Sequence, residues 1–264
     1  MGNDIMDKSL IYTIVTGGTE GIGFELAKLF AGNKHNLIIA ARNETKLEAI
    51  KSEFEKKYEI SVETIQLDLS VDKAWEKIIR TVEEKKLIVD NLINNAGVGS
   101  FGYFHESKDG FEEKLININI IALTNLTKYF LKKMIERKKG GILNVASTAA
   151  FIGGPKMSMY YSSKAYVLSL TEALHDEAKG FGIKVSCLCP GPVKTSFQEK
   201  AGIKKSENAK KYLMSASKVA EVAYVEFFKG KAIILPGYKN KLLVLGNKLI
   251  PRSLSRRIIL KSNN

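Results

Sequence analysis

Tyr160 and Lys164 stand four residues apart in Tyr160-Tyr161-Ser162-Ser163-Lys164, and Ser147 precedes the first of them by thirteen. On a helix, a spacing of four puts both side chains on one face. A phenol is a weak acid–base group at neutral pH because its reference pKa is about 10. A neighbouring ammonium favours the phenolate and draws that value down. The grouping suits chemistry in which negative charge builds on a substrate oxygen that is then protonated, as when a ketone accepts a hydride. In that reading Tyr160 is the acid in reduction and the base in oxidation, Lys164 tunes it, and Ser147 donates a hydrogen bond to the substrate oxygen. Tyr161 is the competing phenol, but four residues beyond it stands Ala165.

Side chains so far apart in the chain meet only if the elements carrying them end in one place. Apolar, β-branched runs occur at Leu10 to Thr16, Asn36 to Ala41, Ser61 to Leu67, Val89 to Asn94, Gly141 to Ser147, Ile183 to Leu188 and Ala232 to Leu235. Between them lie helical patterns at Gly21 to Ala31, Glu44 to Tyr58, Asp72 to Lys85, Phe111 to Arg137, Met157 to Lys179 and Lys218 to Phe228. Strands apolar throughout, separated by helices, predict a parallel sheet covered on both faces. The expected fold class is α/β, a Rossmann-type doubly wound sheet of about seven strands. Such sheets hold ligands beyond the carboxyl ends of their strands, where Ser147 falls. Gly32, Gly140 and Gly180 are expected to cap the first, fourth and fifth helices. One dinucleotide-binding and catalytic domain is expected over 1–264. The stretch 190–215, rich in Lys, Ser and Gly, is expected to be a substrate lid.

After the first strand comes Thr16-Gly17-Gly18-Thr19-Glu20-Gly21-Ile22-Gly23, leading into a helix. Glycines let backbone turn sharply and approach a pyrophosphate, and a helix N-terminus offers free N–H groups to the anion. The spacing is Gly-x-x-x-Gly-x-Gly, and Asn94-Asn95-Ala96-Gly97 follows the fourth strand. With these motifs the sequence resembles the short-chain dehydrogenase/reductase family over roughly residues 8 to 236, in its carbonyl, hydroxysteroid or ketoacyl reductase-like branch. The resemblance implies that Gly17, Thr19, Gly21, Ile22 and Gly23 hold a dinucleotide, with Asn95, Ala96 and Gly97 supporting its adenosine ribose side. It implies Lys164 as a ligand of the nicotinamide ribose, next to Tyr160. It also implies an Asn in the fourth helix that holds a proton-relay water; Asn119 is the better candidate and Asn117 the fallback. In Pro190-Gly191-Pro192-Val193-Lys194-Thr195, Pro190 and Gly191 match the family's Pro-Gly motif, with the Val193 backbone and Thr195 hydroxyl meeting the nicotinamide carboxamide.

A carboxylate ending the second strand would bind both ribose hydroxyls and select NAD, whereas a cation there pairs with a 2′-phosphate. Here the second strand is followed by Arg42-Asn43. NADP(H) is therefore expected ahead of NAD(H), with Asn43 as a second donor; the alternative reading of Arg42 is a solvated loop cation. Glu20 departs from the basic residue that many NADP-preferring relatives carry in the loop. Asp68 matches an acidic residue near the adenine, or caps the following helix. The substrate is expected to be a hydrophobic carbonyl or secondary alcohol bordered by Val98 to Phe104, Ala149 to Met159 and the lid, unless those side chains are core. The alternative to an oxidoreductase is a catalytically silent dinucleotide-binding regulator.

Over 264 residues, 41 Lys+Arg face 28 Asp+Glu, a net charge of +13. Nine of those cations and no carboxylate lie from Lys229 onward, which leaves +4 on the first 228 residues. Nucleic acid is therefore not an expected partner. The basic extension 237–264 mixes apolar clusters with cations, which suits peripheral contact with an anionic membrane, a cover over the substrate site, or a helix packed on the body. Cys187 and Cys189 read as reduced core residues, and the three histidines lack metal-ligand spacing. The polar, acidic start and the absence of any apolar run of roughly 18 residues predict a cytoplasmic protein. A homodimer or homotetramer is expected from the family resemblance.

Overall fold

The computed structural model describes residues 10–203 and 213–262. The first half runs β1 (Ile11–Thr16), α1 (Gly21–Gly32), β2 (Asn36–Ala41), α2 (Glu44–Tyr58), β3 (Val62–Gln66), α3 (Glu76–Glu84) and β4 (Ile88–Asn94). There follow α4 (Phe111–Ile116), a π-helical turn (Asn117–Ala122), α5 (Leu123–Arg137), β5 (Gly141–Val145), α6 (Ser158–Lys179) and β6 (Lys184–Leu188). The last part comprises β7 (Val193–Lys194), α7 (Phe197–Lys200), β8 (Met214–Ser215), α8 (Ala216–Phe228), β9 (Ile233–Ile234), α9 (Tyr238–Leu249) and α10 (Arg252–Ser262).

Seven strands form one sheet in the order β3-β2-β1-β4-β5-β6-β9, and each neighbouring pair is parallel. Both faces are covered, which is why the strands read as unbroken apolar runs. On one side Leu26, Phe30, Phe54, Val219 and Phe227 pack with Val15, Ile39 and Ile93. On the other, Ile78, Leu126, Phe130 and Met134 pack with Ile14, Ile38, Leu92 and Ile142. The strand order reverses between β1 and β4, so the glycine loop after β1 and the Asn-Asn-Ala-Gly segment ending β4 open onto one crevice.

A buried polar chain pins α5 and α6 to that crevice. Asn94 Nδ2 donates to Thr127 Oγ1 and to Asn144 Oδ1, each at 2.9 Å; Asn144 Nδ2 donates to Thr171 Oγ1 at 3.0 Å. Thr171 Oγ1 in turn donates to Val167 O.

Three expectations change. The helix predicted over Phe111 to Arg137 is broken by the π turn, whose extra residue re-aims side chains at the point where Asn117 and Asn119 leave it. The helix expected from Asp72 starts at Glu76. Of the capping glycines, Gly180 stands as expected at the C-cap of α6, whereas Gly32 is still helical and Lys138 makes the left-handed turn after α5. The stretch 190–215, expected to be a lid, carries a short strand pair, β7 with β8, through Val193 with Met214 and Lys194 with Ser215; residues 204–212 lie outside the described residues.

Asn144→Ala strands the buried partners on Asn94 and Thr171. Urea unfolding should show a loss of roughly 1–3 kcal/mol, with an unchanged slope.

Candidate active site

The glycine loop takes its shape from β4. Asn95 Nδ2 donates to Thr16 O at 3.0 Å and to Gly17 O at 3.1 Å, while the backbone N–H groups of Asn95 and Ala96 both donate to Thr16 Oγ1 at 3.1 Å. Gly17 and Gly21 have φ of +65° and +58°, where a side chain would be strained. A Cβ on Gly23 would lie 2.3 Å from Asn95 Nδ2 and 2.4 Å from Gly17 O. The first turn of α1 carries no carboxylate, and no side chain caps its N-terminus. Its N–H groups and positive dipole end therefore face the loop, a cradle that fits a pyrophosphate.

Lys164, Tyr160 and Ser147 meet where β5 and β6 end. Lys164 is buried on α6, and its Nζ donates to Val145 O at 2.8 Å. Gly97 makes room for it, since a Cβ there would stand 3.3 Å from that nitrogen. Half-buried Tyr160 is hydrogen-bonded to the Ser147 side chain. Ser147 Oγ also donates to Pro190 O at 3.4 Å and accepts from Ala149 N at 3.1 Å. Lys164 Nζ lies 5.8 Å from the Tyr160 ring centroid.

The electrostatics differ from the expected tuning. Burial pushes the Tyr160 phenol up to about 12, and the counter-pull comes from the Ser147 hydrogen bond. Burial pulls Lys164 down to about 8, against an opposite effect from the Cys187 and Cys189 thiols. For Tyr160, desolvation outweighs the Ser147 hydrogen bond.

Asn119 and Asn117 separate cleanly. Asn119 Nδ2 donates to Val98 O and Ser163 Oγ, both at 3.0 Å, and its Oδ1 accepts from Val98 N at 2.9 Å. This joins the π turn to α6 beside Lys164. Asn117 instead donates to Ser70 O at 2.9 Å.

At the ribose edge Arg42 is exposed. Burial pushes the Asp68 carboxyl up, but hydrogen bonds from Ser70 and the Arg42 and Lys114 charges prevail and hold it below the usual range. Asp68 Oδ1 accepts from Ser70 N at 2.9 Å, and it is not the cap of α3, which begins eight residues later. Asn43 caps α2, its Oδ1 accepting from Lys46 N at 2.8 Å. Glu20 lies 3.6 Å from Lys46 and pairs with Lys200 of α7. Thr19 and Ile22 lie half-buried in the loop.

Thr195 reaches the loop directly, since a Cβ on Gly21 would lie 3.1 Å from its methyl. Val193 is buried, Pro190 O accepts from Thr148 N at 2.9 Å, and Gly191 lies under Asn240. Among the expected pocket residues, Phe151 is half-buried and packs against the core, whereas Tyr103 and Phe104 are exposed. Phe197 was not singled out in the sequence: its ring centroid lies 5.4 Å from that of Tyr160, with Gly99 between α7 and the phenol. An aromatic two residues beyond Thr195 was the available signal.

The family model for short chain dehydrogenase matches residues 12–206. Over 190 residues the chain is 33% identical to the very-long-chain 3-oxoacyl-CoA reductase of Rattus norvegicus, covering 70% of this chain and 60% of that protein. This chain thus matches about three fifths of the length of such relatives. A short-chain dehydrogenase from Sphingobium yanoikuyae, solved in complex with NADPH, gives a TM-score of 0.81 at 29% identity, over 87% of this chain and 88% of the other. ElxO with NADP bound gives 0.74 at 30% identity, over 86% and 98%.

Gly23→Ala drives a methyl into the Asn95 brace. Dinucleotide affinity, measured by fluorescence titration, should fall at least tenfold while far-ultraviolet circular dichroism keeps its shape.

Proposed function

The chain belongs to the short-chain dehydrogenase family, and on that premise we propose that it reduces the ketone of a hydrophobic 3-oxoacyl thioester with NADPH. The observation that carries this reading is Tyr160 hydrogen-bonded to Ser147 beside buried Lys164, at the crevice where the glycine loop opens. When bound, the nicotinamide supplies the hydride to the carbonyl carbon. Ser147 and Tyr160 hold the carbonyl oxygen, and Tyr160 gives it the phenolic proton as the new C–H bond forms. A phenol pushed up to about 12 is protonated at neutral pH, the form that the acid of the reduction needs. Lys164 supplies positive charge for the developing alkoxide, and Asn119 positions the π turn beside it.

NADPH is preferred over NADH because Arg42 ends the β2 edge with a cation suited to a 2′-phosphate. The Gly17 to Gly23 loop would hold the pyrophosphate, and Thr195, packed on Gly21, would meet the nicotinamide carboxamide. The long acyl chain is inferred from the relatives' activity and from the apolar contacts that Phe197 and Gly99 place around Tyr160. Two copies pair through α6 and through α5 with the π turn before it, where Tyr166 and Ile121 are exposed.

The test is NADPH oxidation across 3-oxoacyl thioesters of rising chain length, with steroid ketones as the competing class. Tyr160→Phe should lower kcat by roughly 10²–10⁴ with little change in NADPH affinity; full turnover would overturn the mechanism. Reduction by the unaltered enzyme should fall as pH rises through about 8, because Lys164 loses its charge there while Tyr160 stays protonated. In Arg42→Asp, the ratio of kcat/KM for NADPH to that for NADH should drop at least tenfold. An unchanged ratio would remove the cofactor assignment.

A further inference from the structure

α9 carries apolar residues on the side away from the body. Its inward positions are Val244, which is buried, and Asn240, whose Nδ2 donates to Pro236 O at 2.7 Å beside Gly191. On the opposite arc, Tyr238, Leu242, Leu245 and Leu249 are 69%, 62%, 56% and 79% exposed. Their spacing of four, three and four residues confines them to an arc of about 60° on a helix. Lys239 and Lys241 fall on the two sides of that stripe.

α10 follows α9 after Ile250 and Pro251 and also exposes apolar residues. Ser255 is buried, and the Arg256 side chain reaches Gly153, where a Cβ would lie 3.2 Å from its Cδ. Leu254 and Ile258 remain 47% and 53% exposed, next to exposed Arg257 and Lys261. Exposed apolar stripes of this kind, flanked by cations, mark interaction sites.

Charge selects the occupant. From Tyr238 onward there are seven cations and no carboxylate. A second copy of this chain meeting the surface by two-fold symmetry would set one cationic rim against the other, which is repulsive. An anionic lipid surface answers both features: leucines enter the acyl boundary while lysines and arginines meet headgroups. Among the described residues no helix is long and apolar enough to cross a membrane, so the segment is suited to lie on one.

We propose that α9 and α10 form a docking face for an anionic lipid surface. Its position adds a consequence for the substrate side. Pro155, which follows the Gly153-Gly154 turn near the Tyr160 helix, shares a cavity of about 280 Å³ with Ser253, Arg256, Arg257 and Leu260. α10 thus lies beside the Gly153 to Pro155 turn, on the segment that leads into α6 and Tyr160. The docking itself stands independently of the substrate proposed above.

Vesicle flotation of the full chain tests the idea, comparing phosphatidylcholine alone with phosphatidylcholine containing phosphatidylserine. The bound fraction should be at least tenfold higher on the anionic vesicles and should fall on adding salt, as expected for charge-assisted attachment. The triple variant Leu242→Ser, Leu245→Ser, Leu249→Ser should bind at background level while keeping the circular dichroism spectrum and NADPH affinity of the parent. Absence of binding, or equal binding to both vesicle types, overturns the proposal. So does retention of full binding by the triple variant. If sedimentation shows the variant converting a dimer to a monomer without any change in vesicle binding, the face belongs to a second copy and the lipid assignment is wrong.

Discussion

One carboxamide holds the crevice in shape. Asn95, just past β4, reaches across the strand-order reversal to the carbonyl oxygens of Thr16 and Gly17. It thereby fixes the path of the loop between β1 and α1, and it uses the space that a side chain on residue 23 would need. Backbone bonds from Asn95 and Ala96 to Thr16 Oγ1 lock the same join from the other side. With the turn so constrained, the N-terminus of α1 points into the crevice and Thr195 can rest on Gly21.

The second constraint is dielectric. A lysine and a phenol brought to the edge of a closely packed sheet both lose hydration, so each moves towards its neutral form. Lys164 offsets part of that cost by donating to Val145 O, and Tyr160 by bonding Ser147. The polar chain from Thr127 through Asn94 and Asn144 to Thr171 keeps α6 seated so that these contacts coincide. Buried networks of this kind are costly when incomplete, which makes them effective at specifying a single arrangement.

The α/β pattern was legible because each strand buries both faces, so β2 and α2 emerge with the boundaries their residues suggest. The glycine loop was equally legible, since its spacing reports a steric need that few other residues satisfy. The π turn was not. Asn117-Ile-Asn119-Ile-Ile-Ala122 carries no breaker, and its widened turn is set by what the two Asn side chains find around them: Ser70 for one, Val98 and Ser163 for the other. Periodicity within one helix contains no record of those partners. The end of α5 differs for a related reason: Lys138 takes the left-handed turn although Gly140 stands two residues on.

By itself, the sequence determined the layer order of the fold, the position of the loop and the grouping of Ser147, Tyr160 and Lys164, because periodicity and short-range spacing are local properties. The tertiary structure decided what depends on long-range approach. It chose Asn119 over Asn117 for the place beside Lys164, made Asn43 a helix cap, brought Phe197 onto Tyr160 and placed Phe151 against the core. It also turned the leucines of α9 outward, since Val244 and Asn240 occupy the side that meets the body. Desolvation, too, is a property of the assembled crevice, and that is why the direction of the Tyr160 shift followed from packing rather than from the four-residue spacing to Lys164.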